Sequence, residues 1–186
     1  MARRNDKREK LVSAANESFR QRGVDSTTLA NIAELAKVPL GNVYYYFKSK
    51  ESIVYAVIEH RRKENSQKFE GYAEITDPLI RLQTFVRDAV EHNETSEKFG
   101  DAVGGLCQEL GRQGGEVAEA ASTLMEDTLT WVESQLISLG KGEKARQIAM
   151  VLVASMQGIN LLALTFKNPN YTKEQADYLV DWIAVA

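Results

Sequence analysis

The chain has 186 residues, of which 44% are apolar, and this content excludes a disordered protein. Three prolines, among long stretches rich in Ala, Leu, Glu, Gln, Lys and Arg, favour an all-α fold. Residues 1–50 carry ten Lys and Arg against five Asp and Glu, a net charge of +5, whereas residues 51–186 carry thirteen against twenty-one, a net charge of −8. This asymmetry indicates either a nucleic-acid-binding N-terminal part or a solvated basic face without a partner.

The inventory of reactive side chains argues against catalysis. The single cysteine, Cys107, excludes an internal disulfide, and residues 1–20 carry charges throughout, unlike a signal peptide. With two histidines, His60 and His92, the chain has too few of the residues that a metal site or a Ser-His or Cys-His arrangement needs. We therefore expect a cytoplasmic protein that is not an enzyme, with no catalytic residues, metal or cofactor.

Apolar spacing and cap residues predict two helices at the start of the chain. The first spans Asp6 to Arg22 and ends at Gly23, which suits a left-handed C-terminal cap. The N-cap candidates Ser26, Thr27 and Thr28 precede a short second helix of about two turns.

Pro39 ends the second helix and begins a third helix that extends to Phe47 after a turn of three or four residues. Ser49 then caps a fourth helix that runs to about Phe69. Two short helices joined by a tight turn, behind a supporting helix in the basic part of the chain, are typical of a helix-turn-helix.

The third helix carries four consecutive aromatic residues, from Tyr44 to Phe47. They cannot all face inward, so at least one or two tyrosines are exposed, where a hydroxyl reaches a phosphate or a ring packs on a thymine methyl. Gly41 permits close backbone approach, and Asn42 has the groups to hydrogen-bond a base edge or a phosphate.

The remainder of the chain is predicted to be helical, giving about nine helices in all. The segment from Glu97 to Leu110 is expected to be bent or broken, because three glycines lie within it. The other predicted helices run from Asp77 to about Asn93, from Val117 to Leu139 with Gly140 behind it, from Ile148 to Phe166, and from Tyr171 to Val185.

The predicted helix from Ile148 to Phe166 has no charged residue in nineteen positions, nearly enough to span a bilayer. Because polar residues interrupt it and no second such run exists, we expect a buried helix of a protein without a membrane partner. A second subunit that covers one face, with the last helix, would complete a four-helix dimer contact. The predicted interface residues are Leu152, Met156, Leu161, Tyr178 and Trp182.

Two segments resemble the N-terminal domain of the tetracycline-repressor (TetR) family. They read TTLANIA from Thr27 to Ala33 and GNVYYYFKSKE from Gly41 to Glu51. The resemblance extends over roughly Asp6 to His60, about a third of the chain. It implies a helix-turn-helix DNA-binding domain over residues 1–48 and a helical ligand-binding and dimerisation domain over residues 49–186.

The resemblance also implies roles for single residues. Thr28 and Lys50 would hold phosphates, and Tyr44 and Tyr46 would lie against the sugar-phosphate backbone. Val43 and Phe47 would anchor the third helix in the core. Members of the family often carry Lys at the position of Leu40 and His at that of Tyr46, so one phosphate or base contact is expected to be missing or replaced by an apolar contact, and the resemblance implies DNA binding without implying the operator sequence. The residues that would face the groove are Leu40, Gly41, Asn42 and Tyr45.

A second stretch, with Phe99-Gly100-Asp101 followed by Leu106, Glu109 and Leu110, resembles a Gly-Cys-Leu-x-x-x-Leu-x-x-Glu stretch of one branch of the family. Some members of that branch sense electrophiles through the cysteine, but here Asp101 stands at that position. A hydrophobic ligand would fit an interior lined by apolar or softly polar side chains. The candidate lining residues are Phe85, Phe99, Val103, Cys107, Gln108, Met125, Leu129, Trp131, Met156, Asn160 and Phe166.

The expected function is that of a dimeric repressor that binds a near-palindromic operator in double-stranded DNA and is released by a small, hydrophobic effector. The alternative is a DNA-binding regulator without a small-molecule ligand, controlled by a protein partner or by oxidation of Cys107.

Overall fold

The structure, a computed structural model, describes residues 2–91, 96–168 and 170–186, and within these ranges it is all-helical, as predicted. Ten α-helices and a short 3-10 helix (Gly142–Lys144) follow one another along the chain. The α-helices are α1 (Ala2–Arg22), α2 (Leu29–Leu35), α3 (Leu40–Tyr46), α4 (Lys50–Tyr72), α5 (Pro78–Glu91), α6 (Ser96–Phe99), α7 (Ala102–Gln113), α8 (Gly115–Ser138), α9 (Ala145–Phe166) and α10 (Asn170–Val185).

The helices form two compact units. Unit 1 comprises Met1–Lys63 and Gly105–Leu124, and unit 2 comprises Glu64–Gly104 and Met125–Ala186. Helices α4, α7 and α8 therefore each contribute residues to both units. The predicted boundary after residue 48 stays a prediction, since it separates functions, whereas these units reflect packing.

The ends of α1 and α2 in unit 1 follow from their cap residues. Gly23 has a φ of +83°, which favours glycine, and its N–H donates to the Phe19 carbonyl at 2.9 Å. Among the three N-cap candidates, Thr28 caps α2: its hydroxyl accepts from Asn31 N–H, while Asn31 Oδ1 accepts from Thr28 N–H. This reciprocal capping box fixes where α2 begins.

The turn from Ala36 to Pro39 separates α2 from α3, as the sequence predicts. Val38 N–H donates to the Ala33 carbonyl at 3.0 Å, and Lys37 adopts a positive φ of +54°. Pro39 is the N-cap of α3. Buried side chains from α1 to α4 then form a common core: Leu11, Ala15, Phe19, Ile32, Val43, Phe47, Ile53 and Val57.

The core of unit 2 is built mainly by α5, α8, α9 and α10. Gln83 Nε2 on α5 donates to the Val180 carbonyl at 3.2 Å, and Arg87 pairs with Asp177 at 2.8 Å. The largest fully buried side chains of this core are Leu82, Leu136, Leu152 and Ile183.

The predicted break between Glu97 and Leu110 lies at Gly100, which has a φ of +72° and separates α6 from α7. Gly104 and Gly105 lie within α7. The Asp101 carboxylate accepts Gly104 N–H at 2.5 Å, close to the start of α7. The predicted end of α5 near Asn93 lies outside the described residues.

Helix α9 shows which side of the long apolar run meets the core. Leu152 and Met156 are buried in unit 2, so they are not available to a second subunit, and this part of the predicted interface was wrong. Leu161 and Tyr178 are exposed, and Trp182 is half-buried. In the described residues, Gly142–Phe166 is long and apolar enough to cross a membrane by length and composition alone.

Candidate nucleic-acid interface

Helix α3 has one face in the core and one face in solvent. Val43 is fully buried and Phe47 is 3% exposed, as predicted for the two anchors four residues apart. On the opposite side Tyr44 and Tyr45 are 50% and 55% exposed, and Leu40 is 41% exposed. Three large side chains on a two-turn helix thus leave neighbouring apolar area in contact with water. Such a face is suited to binding a partner.

Gly41 lies in the first turn of α3 and is exposed, and a Cβ there would meet no other atom within 4 Å. The absence of a side chain is therefore not required by packing in the described residues. It leaves the backbone of α3 open to close approach from outside. Asn42 beside it is half-buried, and its N–H donates to the Pro39 carbonyl at 2.8 Å.

Tyr46 differs from the two tyrosines before it. It is half-buried, and its ring meets that of Tyr45 edge to face with centroids 5.0 Å apart. Such pairs are favourable beyond the area they bury. Tyr46 therefore supports the orientation of the exposed Tyr45 ring.

The two predicted phosphate-binding residues are both engaged within unit 1. The Thr28 hydroxyl donates to Asn31 Oδ1 at 2.7 Å while capping α2. Lys50 Nζ donates to the Asp25 carbonyl at 3.0 Å, and two of its three N–H groups remain for other acceptors. Thr28 is exposed and Lys50 half-buried, so both lie at the surface of the unit.

Two further basic residues flank α3 in the chain, and the sequence prediction did not assign them to DNA binding. Lys48 Nζ donates to the Tyr44 carbonyl at 3.0 Å, at the C-terminal end of α3, where a cation is favourable. Lys37 lies exposed in the turn before α3. The position of Lys48 just after α3 could have identified it from the sequence. No sequence pattern predicts the positive φ of Lys37.

Some predicted ligand-lining residues of unit 2 form an aromatic cluster. The Trp131 ring stacks on Phe69 with centroids 4.7 Å apart and meets Phe85 at 5.0 Å. Tyr72 completes the cluster, 5.6 Å from Trp131. Phe69 and Tyr72 were not among the predicted lining residues.

The other predicted lining residues differ in burial. Met156 and Asn160 are buried in unit 2, whereas Phe166 is 60% exposed. Gln108, in unit 1, is exposed as well. Gln108 and Phe166 do not face an interior, and their assignment to the lining was wrong. Phe99, Val103, Met125 and Leu129 are half-buried.

Cys107 is half-buried in unit 1, and its thiol donates to the Ala121 carbonyl at 3.2 Å. Within the described ranges, no three His, Cys, Asp or Glu side chains are grouped so that they could hold a metal ion.

Comparison with known proteins finds a family model that matches this N-terminal region and several similar regulators. The family model of bacterial regulatory proteins of the tetR family matches residues 11–57. The transcriptional regulator LmrA of Bacillus subtilis is 29% identical over 167 residues, which cover 88% of this chain and 89% of that protein. The regulator TtgR of Pseudomonas putida is 36% identical over 85 residues, which span 42% of this chain and 40% of TtgR.

The fold has close counterparts among solved structures. A TetR transcriptional regulator from Legionella pneumophila superposes with a TM-score of 0.84 over 94% of this chain and 95% of its own, at 18% sequence identity. At this low sequence identity, the similarity shows that the two chains share a fold.

Proposed function

Because the chain belongs to the TetR family of helix-turn-helix transcriptional regulators, we propose that it is a homodimeric repressor that leaves its operator when a small hydrophobic ligand binds. Operator DNA is the partner of this family. The dimer, the ligand and the direction of regulation are the proposed elements.

The exposed face of α3 carries the proposal. Leu40, Gly41, Tyr44 and Tyr45 present apolar groups, two hydroxyls and a bare stretch of backbone on one short helix. Apolar groups suit thymine methyls in a major groove, while hydroxyls suit phosphate or base edges. Lys37, Lys48 and Lys50 supply positive charge in the same unit.

A face of α9 supports a homodimer. Met150 and Leu161 are 55% and 58% exposed, and the small residues Ala154 and Gly158 lie between them at helical spacing. The spacing of four, four and three residues aligns these four positions on one side of the 22-residue helix. Small residues permit close approach of a second helix, so a second copy of the chain would bury this stripe by a symmetric contact.

A two-fold dimer would set two α3 helices about 34–36 Å apart, one turn of DNA, on a near-palindrome. Helix α4 contributes residues to both units, so a ligand held by unit 2 has a continuous route along it to unit 1. By linkage, the ligand weakens operator binding only as far as it favours the form that does not bind DNA. The aromatic cluster of Phe69, Tyr72, Phe85 and Trp131 is the feature that favours an aromatic or hydrophobic ligand.

The second candidate is a regulator without a small-molecule ligand. The half-buried thiol of Cys107 favours it, since oxidation there would disturb the contact with Ala121. In both cases we propose that the protein acts in the cytoplasm, where operator DNA is found.

Selection of bound duplexes from a random pool at near-physiological salt tests the proposal, because specific binding survives there while non-specific binding is weak. We expect enrichment of one near-palindrome. A folded dimer that enriches no sequence would contradict operator recognition. Loss of the enriched duplex after thiol oxidation, with no response to hydrophobic compounds, would favour the second candidate.

A further inference from the structure

The turn between α1 and α2 is held by a carboxylate that comes from α7. The N–H of Val24 donates to Glu109 Oε2 at 2.8 Å, and the N–H of Asp25 donates to Glu109 Oε1 at 2.7 Å. The partners are 85 and 84 residues apart in the chain, and all of them belong to unit 1. Hydrogen bonds to an ionised acceptor are roughly twice as strong as neutral ones, so this clamp restrains the turn at two successive amides.

Gly23 shows how closely the carboxylate approaches. A Cβ on Gly23 would lie 3.0 Å from Glu109 Oε2, closer than side chains tolerate without a shift. The glycine also has the positive φ that lets the chain leave α1 at this point. The turn is therefore shaped on one side by backbone conformation and on the other by Glu109.

Asp25, the second clamped residue, has two further partners. Gln113 Nε2, one helical turn beyond Glu109 on α7, donates to Asp25 Oδ1 at 2.8 Å. Lys50 Nζ, at the start of α4, donates to the Asp25 carbonyl at 3.0 Å. Helices α7 and α4 thus both contact this one residue of the turn after α1, three positions before the N-cap of α2.

We propose that Glu109 is a positioning residue for operator binding, assisted by Gln113: it fixes the α1–α2 turn and thereby the start of α2, on which α3 is packed. The proposal rests on the DNA-binding function proposed above. It adds a second helix that acts on the position of α3: α7, in addition to α4. A turn released by α7 samples other conformations, and each of them costs operator affinity because the reading helix must be re-ordered on binding.

The test uses the full-length chain and the duplex selected with the wild-type protein. Glu109→Gln keeps the size of the side chain but turns one acceptor into a donor that faces a backbone N–H. We expect operator Kd to rise about tenfold, and amide exchange over residues 23–28 to speed up by about the same factor. Exchange over α5 and α10 should stay as in the wild type. The matched control is Glu119→Gln, an exposed glutamate of the same unit, for which neither quantity should change.

A second variant acts at the exposed end of the clamp and leaves the core untouched. Gln113→Glu sets a carboxylate against that of Asp25, and we expect the same weakening of operator binding, whereas Gln67→Glu, at an exposed site of α4, should leave it unchanged. Operator affinity equal to the wild type in both Glu109→Gln and Gln113→Glu would overturn the role of Glu109 alone. A wild-type chain that selects no duplex would overturn the DNA-binding function and this proposal with it.

Discussion

The Cζ atom of Arg8 lies 5.4 Å from the centre of the Phe47 ring. The contact joins an exposed cation of α1 to the C-cap of α3, because Phe47 is the residue that ends that helix. A guanidinium over an aromatic face is worth about 0.5–1 kcal/mol at exposed sites. Arg8 thereby tethers the first helix to the end of the proposed reading helix.

Replacement of Arg8 by Met should lower the free energy of unfolding by about 0.5–1 kcal/mol, since Met keeps the apolar stem but removes the cation. Urea unfolding followed by circular dichroism measures this. Lys7→Met removes a neighbouring exposed cation and is the control. Equal stability of the two variants would show that the ring contact contributes nothing to the free energy of unfolding.

Tyr45→Ala should weaken binding to the selected operator by roughly 1–3 kcal/mol, while the chain stays folded and dimeric, because the ring is 55% exposed on the α3 face. Fluorescence anisotropy with a labelled duplex gives the affinity. Ile80→Ala removes an exposed side chain of α5 and should bind as the wild type does. Unchanged affinity of Tyr45→Ala would remove Tyr45 from the reading surface.

Two glycine substitutions should change stability in opposite directions. Gly23→Ala should cost about 1–2 kcal/mol, because Gly23 has a positive φ and Glu109 lies close to the new Cβ. Gly71→Ala, in the last turn of α4 with open space around it, should stabilise by about 0.4–1 kcal/mol through the unfolded state. Chemical denaturation of both variants measures this, and a shift of the same sign in each would contradict the conformational argument.

The Tyr72 hydroxyl donates to Asp88 Oδ2 at 2.8 Å, and burial, followed by this carboxylate, raises the pKa of Tyr72 above its ordinary value. A raised folded-state pKa means that the contribution to stability is complete below about pH 10, the pKa of an unfolded tyrosine, and is lost as the pH rises through the folded-state pKa. Tyr72→Phe should therefore be less stable than the wild type by about 1 kcal/mol at pH 7. The gap should narrow above pH 10 in urea titrations at several pH values, and a constant gap would show that Tyr72 does not titrate differently in the two states.

Substitution of Leu161 by Arg should separate the proposed dimer without unfolding it, because this side chain is 58% exposed on α9. Sedimentation velocity together with circular dichroism reports both properties. Ile137→Arg, at an exposed site of α8, should remain dimeric. Leu152→Arg, at a fully buried site, should instead unfold the chain, since an unpaired charge would lie in the core. A Leu161→Arg chain that sediments as a dimer would move the interface elsewhere.

Local signals in the sequence predicted most helix ends. Gly23, Pro39 and Gly140 each end or begin a helix through local backbone conformation, so this effect is visible without knowledge of the fold. The end of α4 was placed three residues early because Tyr72 is held in the aromatic cluster by Trp131, a contact between residues far apart in the chain.

Side-chain orientation was harder to predict for α9 and α7. In α9 most positions are apolar, so periodicity gave no indication that Leu152 faces the core and Leu161 faces solvent. On α7, the partners of Glu109 lie 84 and 85 residues away in the chain, and no local pattern links them. The burial of Val43 and Phe47, by contrast, was implied by the family resemblance and agrees with their spacing of four residues.

The exposed stripe on α9 makes formation of the proposed dimer depend on the concentration of the chain. A lone protomer would leave Met150 and Leu161 in water, so in the proposed dimer part of the folding free energy comes from the second copy and grows with concentration. At low expression the amount of dimer rises with the square of the number of chains. A modest change in synthesis would then produce a disproportionate change in operator occupancy, before any ligand is present.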